Sequence, residues 1–363
     1  MDRTINEPRF LPDHGGDIQA ASETFDIPLA HWIDLSTGIN PDGYPIPAIP
    51  QAFFSDLPCD DYSPLMHAAK AYYQTSDLLL GAGSQVFIEA IPRLFSHPCR
   101  VAIPDIGYQE HRKRWLACGH QVVEYDGFQP QNLGSLIEKA EVDCAVVINP
   151  NNPTTATIDI NTLDHWRQRL LQGNGVLIVD EAFTDCDGVD SSLQLVDHRG
   201  MIVLRSLGKF FGLAGLRVGF ALGDSARLQQ LKTYRSLWSV SGVSQYVAAR
   251  ALADRTWQRQ AQKQIVATRD RLYQRLTSYF PPHQLHQSSL FVSLVLDQEQ
   301  ANALYMGLAQ RGILLRYCSL KNSPRALLRF GLLTANNNQH NQRFVAAMDA
   351  MVTPNVQTKR QQQ

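Results

Sequence analysis

The chain has 363 residues, 44% of them hydrophobic, which is enough for a large domain with a smaller companion and a sizeable core. Its 33 Lys and Arg against 34 Asp and Glu leave a net charge of -1, which speaks against nucleic acid or an anionic membrane as the main partner. A small anionic ligand is not excluded, since it needs only a local cluster of cations.

The opening "MDRTINEPRFLPDHGGD" is polar, and no apolar run is long enough for a bilayer. No secretion signal or membrane span is expected. The first forty-five residues are too irregular to fold alone and are expected to pack as an arm on the smaller domain. A Gly-rich turn follows within "LLLGAGSQVFIEAIPRLF", leading into a helix. Short apolar runs then alternate with helical patterns. "RVAIP" (100–104), "CAVVINP" (144–150), "GVLIVDEAF" (175–183) and "MIVLRSL" (201–207) read as strands buried on both faces. "YQEHRKRWLACG" and "TLDHWRQRLLQG" read as helices stopped by glycine. This alternation predicts a mainly parallel sheet in a large α/β domain over 46–245.

From 244 to 280 the helix formers run without Pro or Gly, which predicts one or two long helices. "LFVSLVL" (290–296), a helix around 299–311, "GILLRY" (312–317) and "ALLRFGLL" (326–333) then predict a smaller α/β domain over 246–352. The polar ending at 353–363 reads as a disordered tail. Cys59, Cys99, Cys118, Cys144, Cys186 and Cys318 form no CxxC pair and no zinc-like spacing with histidine. They read as reduced thiols of a cytoplasmic protein without a metal site.

In open α/β sheets, ligands gather beyond the carboxyl ends of the strands. Those ends carry a consistent set here. Gly83, Ser84 and Gln85 open a helix, whose first N–H groups suit a phosphate. Ser206 and Arg217 can add a hydroxyl and a guanidinium to the same anion. Asp180 can hold a proton on a ring nitrogen, and Asn152 can donate to a ring oxygen. Lys209 supplies an amine in a stretch otherwise poor in charge, the setting of a Schiff-base lysine. Pyridoxal phosphate uses all of these groups. Each residue taken singly also has an ordinary reading: a turn, a polar loop, a helix cap, a snorkelling amine. Their shared place at strand ends is what the ordinary readings leave unexplained.

The order GAGSQ, Tyr108, NPNNPT, DEAF and SLGKFFGLAGLRVG resembles the fold-type I pyridoxal-phosphate enzymes, in the branch of the histidinol-phosphate aminotransferases, over about residues 14 to 350. The resemblance implies that Lys209 binds the cofactor covalently, that Asp180 pairs with the pyridine nitrogen and that Tyr108 stacks on the ring. It also implies that Asn152 contacts the 3-oxygen, and that Gly83, Ser84, Gln85, Ser206 and Arg217 hold the phosphate. Arg329 matches the arginine that clamps the substrate carboxylate. Arg316, thirteen residues earlier, matches one that binds a substrate phosphate.

Within the branch the chain is similar to the threonine-phosphate decarboxylase family of cobalamin synthesis. The likeness rests on "HGGD" at His14–Asp17 with "WIDLSTGINPDGYP", on DEAF where aminotransferases have DEAY, and on the wording around Lys209. It implies decarboxylation of a phosphorylated amino acid, help from His14, and a homodimer. Histidinol-phosphate transamination is the alternative reaction on the same fold and cofactor. Two positions depart from the patterns. The tyrosine that crosses the dimer interface in the aminotransferases is Leu57 here, so that contact is either absent or supplied by Tyr62. The other decarboxylases carry Asn where this chain has Gly38, so a carboxylate contact there falls to the backbone.

Overall fold

The computed structural model describes residues 8–186, 191–195, 199–334 and 337–352. The tail expected at 353–363 lies outside them, as do the first seven residues of the arm. Twelve strands occur among the described residues: β1 Ile33–Leu35, β2 Leu78–Gly81, β3 Arg100–Pro104, β4 Gln121–Tyr125, β5 Cys144–Ile148, β6 Leu177–Asp180, β7 Met201–Ser206, β8 Gly219–Gly223, β9 Leu285–Ser288, β10 Phe291–Asp297, β11 Ile313–Ser319 and β12 Arg325–Gly331. The chain divides into two units, one from Gly43–Gln262 and the other from Met1–Asp42 with Lys263–Gln363.

The larger unit holds a seven-stranded sheet in the order β2-β8-β7-β6-β5-β3-β4. β7, β6, β5, β3 and β4 run parallel, while β8 is antiparallel to both β7 and β2. This is the mainly parallel sheet that the strand–helix alternation predicts. β5 and β6 are buried at every position, as strands packed on both faces must be. Val146, Ile178, Ile202 and Leu204 join Val101, Phe87 and Trp115 in one core cluster. Each such side chain contributes about 1.5–3 kcal/mol by leaving water. The strands end where polar sequence begins: β5 stops before Asn149, and β6 stops at Asp180. Composition alone does not pick out β2, β4 and β8. β2 and β8 are four and five residues long and run into glycines, and four of the five β4 positions are exposed or half-buried.

Helices follow local rules. Ile160–Gln172 is capped by Asp159, which accepts from Thr162 N–H at 3.0 Å. It buries Leu163, Trp166, Arg167 and Leu170, one stripe at helical spacing, and stops at Gly173. The run 244–280 forms two helices, Gly242–Ala253 and Arg255–Thr277. Asp254 ends the first and caps the second, accepting from Trp257 N–H at 2.9 Å. The division between the units falls inside the second helix, later than residue 245, because this segment has no break in helix formers at that point.

The smaller unit is a five-stranded sheet in the order β1-β11-β12-β10-β9. Its N-terminal contribution is β1, which pairs in parallel with β11, Ile33 opposite Ile313 and Leu35 opposite Leu315. The other neighbours are antiparallel. No helix among the described residues is long and apolar enough to cross a membrane.

Beside β6 and β7 lies a buried charge cluster. Arg205 Nη1 donates to Asp185 Oδ1 at 3.1 Å, and its Nε is 3.4 Å from Glu181 Oε2. Glu181 also accepts from Ser191 Oγ at 2.6 Å and Ser192 N–H at 2.7 Å. Burial opposes the charge on Arg205, but Asp185 and Glu181 more than offset it and raise its pKa. Replacing Arg205 by Ala strands two carboxylates in the interior, at a cost of about 3–5 kcal/mol. Denaturant unfolding of Arg205→Ala is expected to show that loss as a lower midpoint.

Candidate active site

Three strand ends meet at Gly219. It opens β8, with Gly81 of β2 opposite on one side and Ser206 of β7 on the other. A methyl at Gly219 would be driven into Ser84 N and would sit 2.6 Å from Gly83 C and 2.9 Å from Arg205 O. The loop after β2 therefore lies directly on β8. Gly83 has φ +81°, and a methyl there would come within 2.6 Å of Arg217 Nη2. Both features demand glycine. Arg217 itself has φ +53° and donates to Ala214 O at 3.3 Å. Ser206 Oγ accepts from Gly208 N–H at 3.2 Å. The structure thus brings Gly83, Ser84, Ser206 and Arg217 into one cup, with the helix Gln85–Ala90 starting at its rim. The first N–H groups of a helix have no partner inside it, and they carry its positive end. A phosphate fits this donor set.

A second chain of contacts starts at Asp180. Its Oδ2 is 2.9 Å from His111 Nε2, and its Oδ1 accepts from Ala182 N–H at 3.1 Å. Asp180 and His111 are both buried. With Asp180 ionised, the imidazole donates its Nε2 proton and steadies an anion at a strand end, where a protonated ring nitrogen can be held. His111 lies one helical turn after Tyr108, and the two rings meet edge to face at 6.3 Å. Tyr108 O–H donates to Gln85 Oε1 at 3.2 Å. Burial, with Glu110 and Asp180 adding, pushes the Tyr108 phenol up to about 12. Tyr108 is therefore a neutral ring at ordinary pH. Gln85 Nε2 donates to Glu89 Oε1 at 3.1 Å and Glu110 Oε2 at 3.4 Å. Its side chain is thereby tied to α-helical neighbours, and what Gln85 can offer an anion is its backbone N–H.

Lys209 is half-buried, with Nζ 5.3 Å from the ring centre of buried Phe183. Phe183 leaves the same strand end as Asp180, three residues on. Asn152 is half-buried in the loop after β5, where Asn149–Pro150 and Asn152–Pro153 are cis. Its neighbours are scaffold: Asn149 exchanges hydrogen bonds with Ile158 at 3.0 Å, and Asn151 Nδ2 donates to Ile106 O at 2.9 Å and Gly127 O at 3.0 Å. Phosphate donors, a carboxylate, an amine and an aromatic ring are the parts pyridoxal phosphate requires, and the larger unit contains them all. Tyr62 precedes the helix Ser63–Tyr73 and packs edge to face on Phe53 at 5.9 Å.

In the smaller unit, Arg316 of β11 stands directly opposite Arg329 of β12. Arg329 is 7% exposed, its guanidinium 5.3 Å from the Phe291 ring centre and donating to Ser36 O. Burial, with Arg316 adding, lowers its pKa to about 10. Arg316 donates to Pro12 O and, at 2.6 Å, to Asp13 O. Gly38 is buried, and His14 is exposed on the arm just past those two carbonyls. Two facing guanidiniums repel unless an anion joins them.

Two site features are absent from the sequence reading. His111 has a signal, the i, i+3 spacing from Tyr108. Gly219 closes the motif SLGKFFGLAGLRVG, but its role, a close approach between segments far apart in the chain, is not visible there.

Gly83→Ala is expected to weaken retention of pyridoxal phosphate, measured by absorbance after dialysis, because the methyl meets Arg217 and the backbone stays at positive φ. Binding of an anion at Arg329 requires the protonated guanidinium. Affinity should hold below and fall as pH rises through about 10, which a pH series of binding by a simple carboxylate measures.

The description "Aminotransferase class I and II" matches residues 57–347. A threonine-phosphate decarboxylase from Pseudomonas aeruginosa is 41% identical over 322 residues, covering 88% of this chain and 92% of the relative. Another, from Sinorhizobium sp, is 35% identical over 63% of this chain and 68% of the relative. The crystal structure of histidinol-phosphate aminotransferase from Sinorhizobium meliloti in complex with pyridoxal-5'-phosphate superposes with a TM-score of 0.77 at 20% identity, covering 94% of this chain and 97% of that one; this is a likeness of fold. The chain belongs to the aminotransferase class I and II family and, within it, to the threonine-phosphate decarboxylases.

Proposed function

We propose that the protein uses pyridoxal phosphate to decarboxylate L-threonine O-3-phosphate, giving (R)-1-amino-2-propanol O-2-phosphate for cobalamin synthesis. The observation that carries the reading is Phe183, whose buried ring faces Lys209 Nζ at 5.3 Å. The aminotransferase resemblance would place a tyrosine hydroxyl there, and Phe183 carries none. The sequence likeness to a decarboxylase over most of both chains supports the same choice.

Pyridoxal phosphate, when bound, supplies an aldehyde for the substrate amine and a ring that accepts the electron pair of the breaking bond. Every other task falls to the chain. Gly83, Ser84 and Gln85 give backbone N–H groups, Ser206 a hydroxyl and Arg217 a guanidinium to the cofactor phosphate. Asp180, steadied by His111, keeps a proton on the ring nitrogen. Tyr108 would stack on the cofactor ring, and Asn152 would donate to its 3-oxygen. Lys209 Nζ anchors the cofactor and moves protons at the reacting carbon. Arg329 holds the substrate carboxylate and so decides which bond at that carbon is cleaved. Arg316 takes the substrate phosphate, with His14 and the Gly38 backbone beside it.

The working form is a cytoplasmic homodimer. Phe54, Leu57, Leu237 and Trp238 are 60%, 71%, 70% and 52% exposed. Trp238 N–H donates to Asp60 Oδ1 at 2.8 Å, and Arg235 donates to Asp60 O at 3.1 Å, which ties the 235–238 segment to the chain three residues after Leu57. Exposed apolar side chains of this kind suit a second copy. Tyr62 is on the same segment and replaces the missing interface tyrosine.

Incubation of the loaded enzyme with threonine phosphate is expected to release carbon dioxide without any keto acid, and Lys209→Ala is expected to abolish release. Oxoglutarate-dependent conversion of histidinol phosphate, with no carbon dioxide from threonine phosphate, would replace this reading by the aminotransferase one.

A further inference from the structure

The N-terminal arm and the buried arginine of the smaller unit share one mount, the turn Asp34–Ser36. Asp34 Oδ1 accepts from Ser36 N–H at 2.8 Å and from Ser36 Oγ–H at 2.6 Å. Ser36 Oγ in turn accepts from Gly16 N–H of the arm at 2.7 Å. The Ser36 carbonyl accepts from Arg329 Nη2. Gly15 lies against that same carbonyl so closely that a methyl would be driven into the oxygen, and Gly16 holds φ +90°. A little earlier, the Pro12 and Asp13 carbonyls accept from Arg316. The stretch 12–16 is therefore pinned to both arginines, to Arg316 directly and to Arg329 through Ser36.

We propose that the Asp34–Ser36 turn is a positioning element that couples the seating of His14–Gly16 to the aim of Arg329, so that the arm and an anionic substrate bind this unit cooperatively. The identity of that substrate rests on the function proposed above. A guanidinium is a planar fork, and committing one N–H to Ser36 fixes the plane and the direction of the other donors. Ser36 is fully buried, so its bonds to Asp34 and Gly16 leave the carbonyl one orientation. Loss of the Oγ bridge frees both the arm and the fork. Coupling of this kind is reciprocal: an anion that favours the seated arm is bound more tightly because the arm is seated.

The test uses the full chain loaded with pyridoxal phosphate. Ser36→Ala removes the bridge, Gly15→Ala unseats the arm by steric conflict, and Asp34→Ala removes the acceptor. Each is expected to raise KM for threonine phosphate about tenfold, with a smaller effect on kcat. Asp34→Asn keeps the accepting Oδ1 and should return KM close to the parent value. Trypsin cleavage after the exposed Arg9, followed by mass spectrometry, reads the arm itself. Cleavage should quicken in the three variants and slow in the parent when threonine phosphate, or inorganic phosphate, is added. KM unchanged in Ser36→Ala and Gly15→Ala, or an Arg9 cleavage rate indifferent to the variants and to phosphate, overturns the inference. A parent that does not turn over threonine phosphate overturns the proposed reaction, and the cleavage rates with inorganic phosphate still decide the coupling.

Discussion

Gly219 has no side chain, and the anion cup of the larger unit follows from that. The residue lies between Gly81 and Ser206 in the sheet, with the Gly83–Ser84 loop lying on it. Any larger residue would lift that loop from β8. The groups that could donate to a phosphate come from three places in the chain, around residues 83, 206 and 217. They converge only because β2, β7 and β8 end or begin at the same level, and because glycine lets the backbones touch. The Asp180–His111–Tyr108–Gln85 chain then ties β6 and the helix Glu110–Ala117 back to the start of the helix that rims the cup.

The arginines show how one side chain serves two ends. Arg205 is buried with carboxylates on it, and its charge is neutralised within the fold. Arg316 and Arg329 face each other as like charges, Arg316 on the Pro12 and Asp13 carbonyls and Arg329 on the Ser36 carbonyl, and Arg329 has a lowered pKa. The first arrangement stabilises the ends of β6 and β7. The second sets like charges side by side, a cost that an arriving anion would offset, in keeping with the phosphorylated amino acid proposed above. The arm brings the HGG segment to the same two arginines, and this gives its two glycines a physical reason.

Much of this was legible in the sequence. Apolar runs without alternation predicted β3, β5, β6 and β7, and their polar ends supplied Asp180, Asn152 and Ser206. The spacing of Lys209 and Arg217, eight residues apart, and the departure at Phe183 were also readable from a short stretch. β2 and β8 were not, because short glycine-rich strands look like loops until partners on both sides satisfy their backbone groups. Nor was β1 in "WIDL", since three residues form a strand only when β11 offers its edge.

What the linear order determined is which chemical groups the protein carries and on which kinds of element, because periodicity and strand-end polarity are local properties. What only the tertiary structure decided is which groups meet. His111 reaches Asp180, Gly16 reaches Ser36, and Arg316 faces Arg329 across gaps of many residues, set by strand register and by glycine clearances. Register depends on pairing between distant segments, and no local pattern in either segment encodes it.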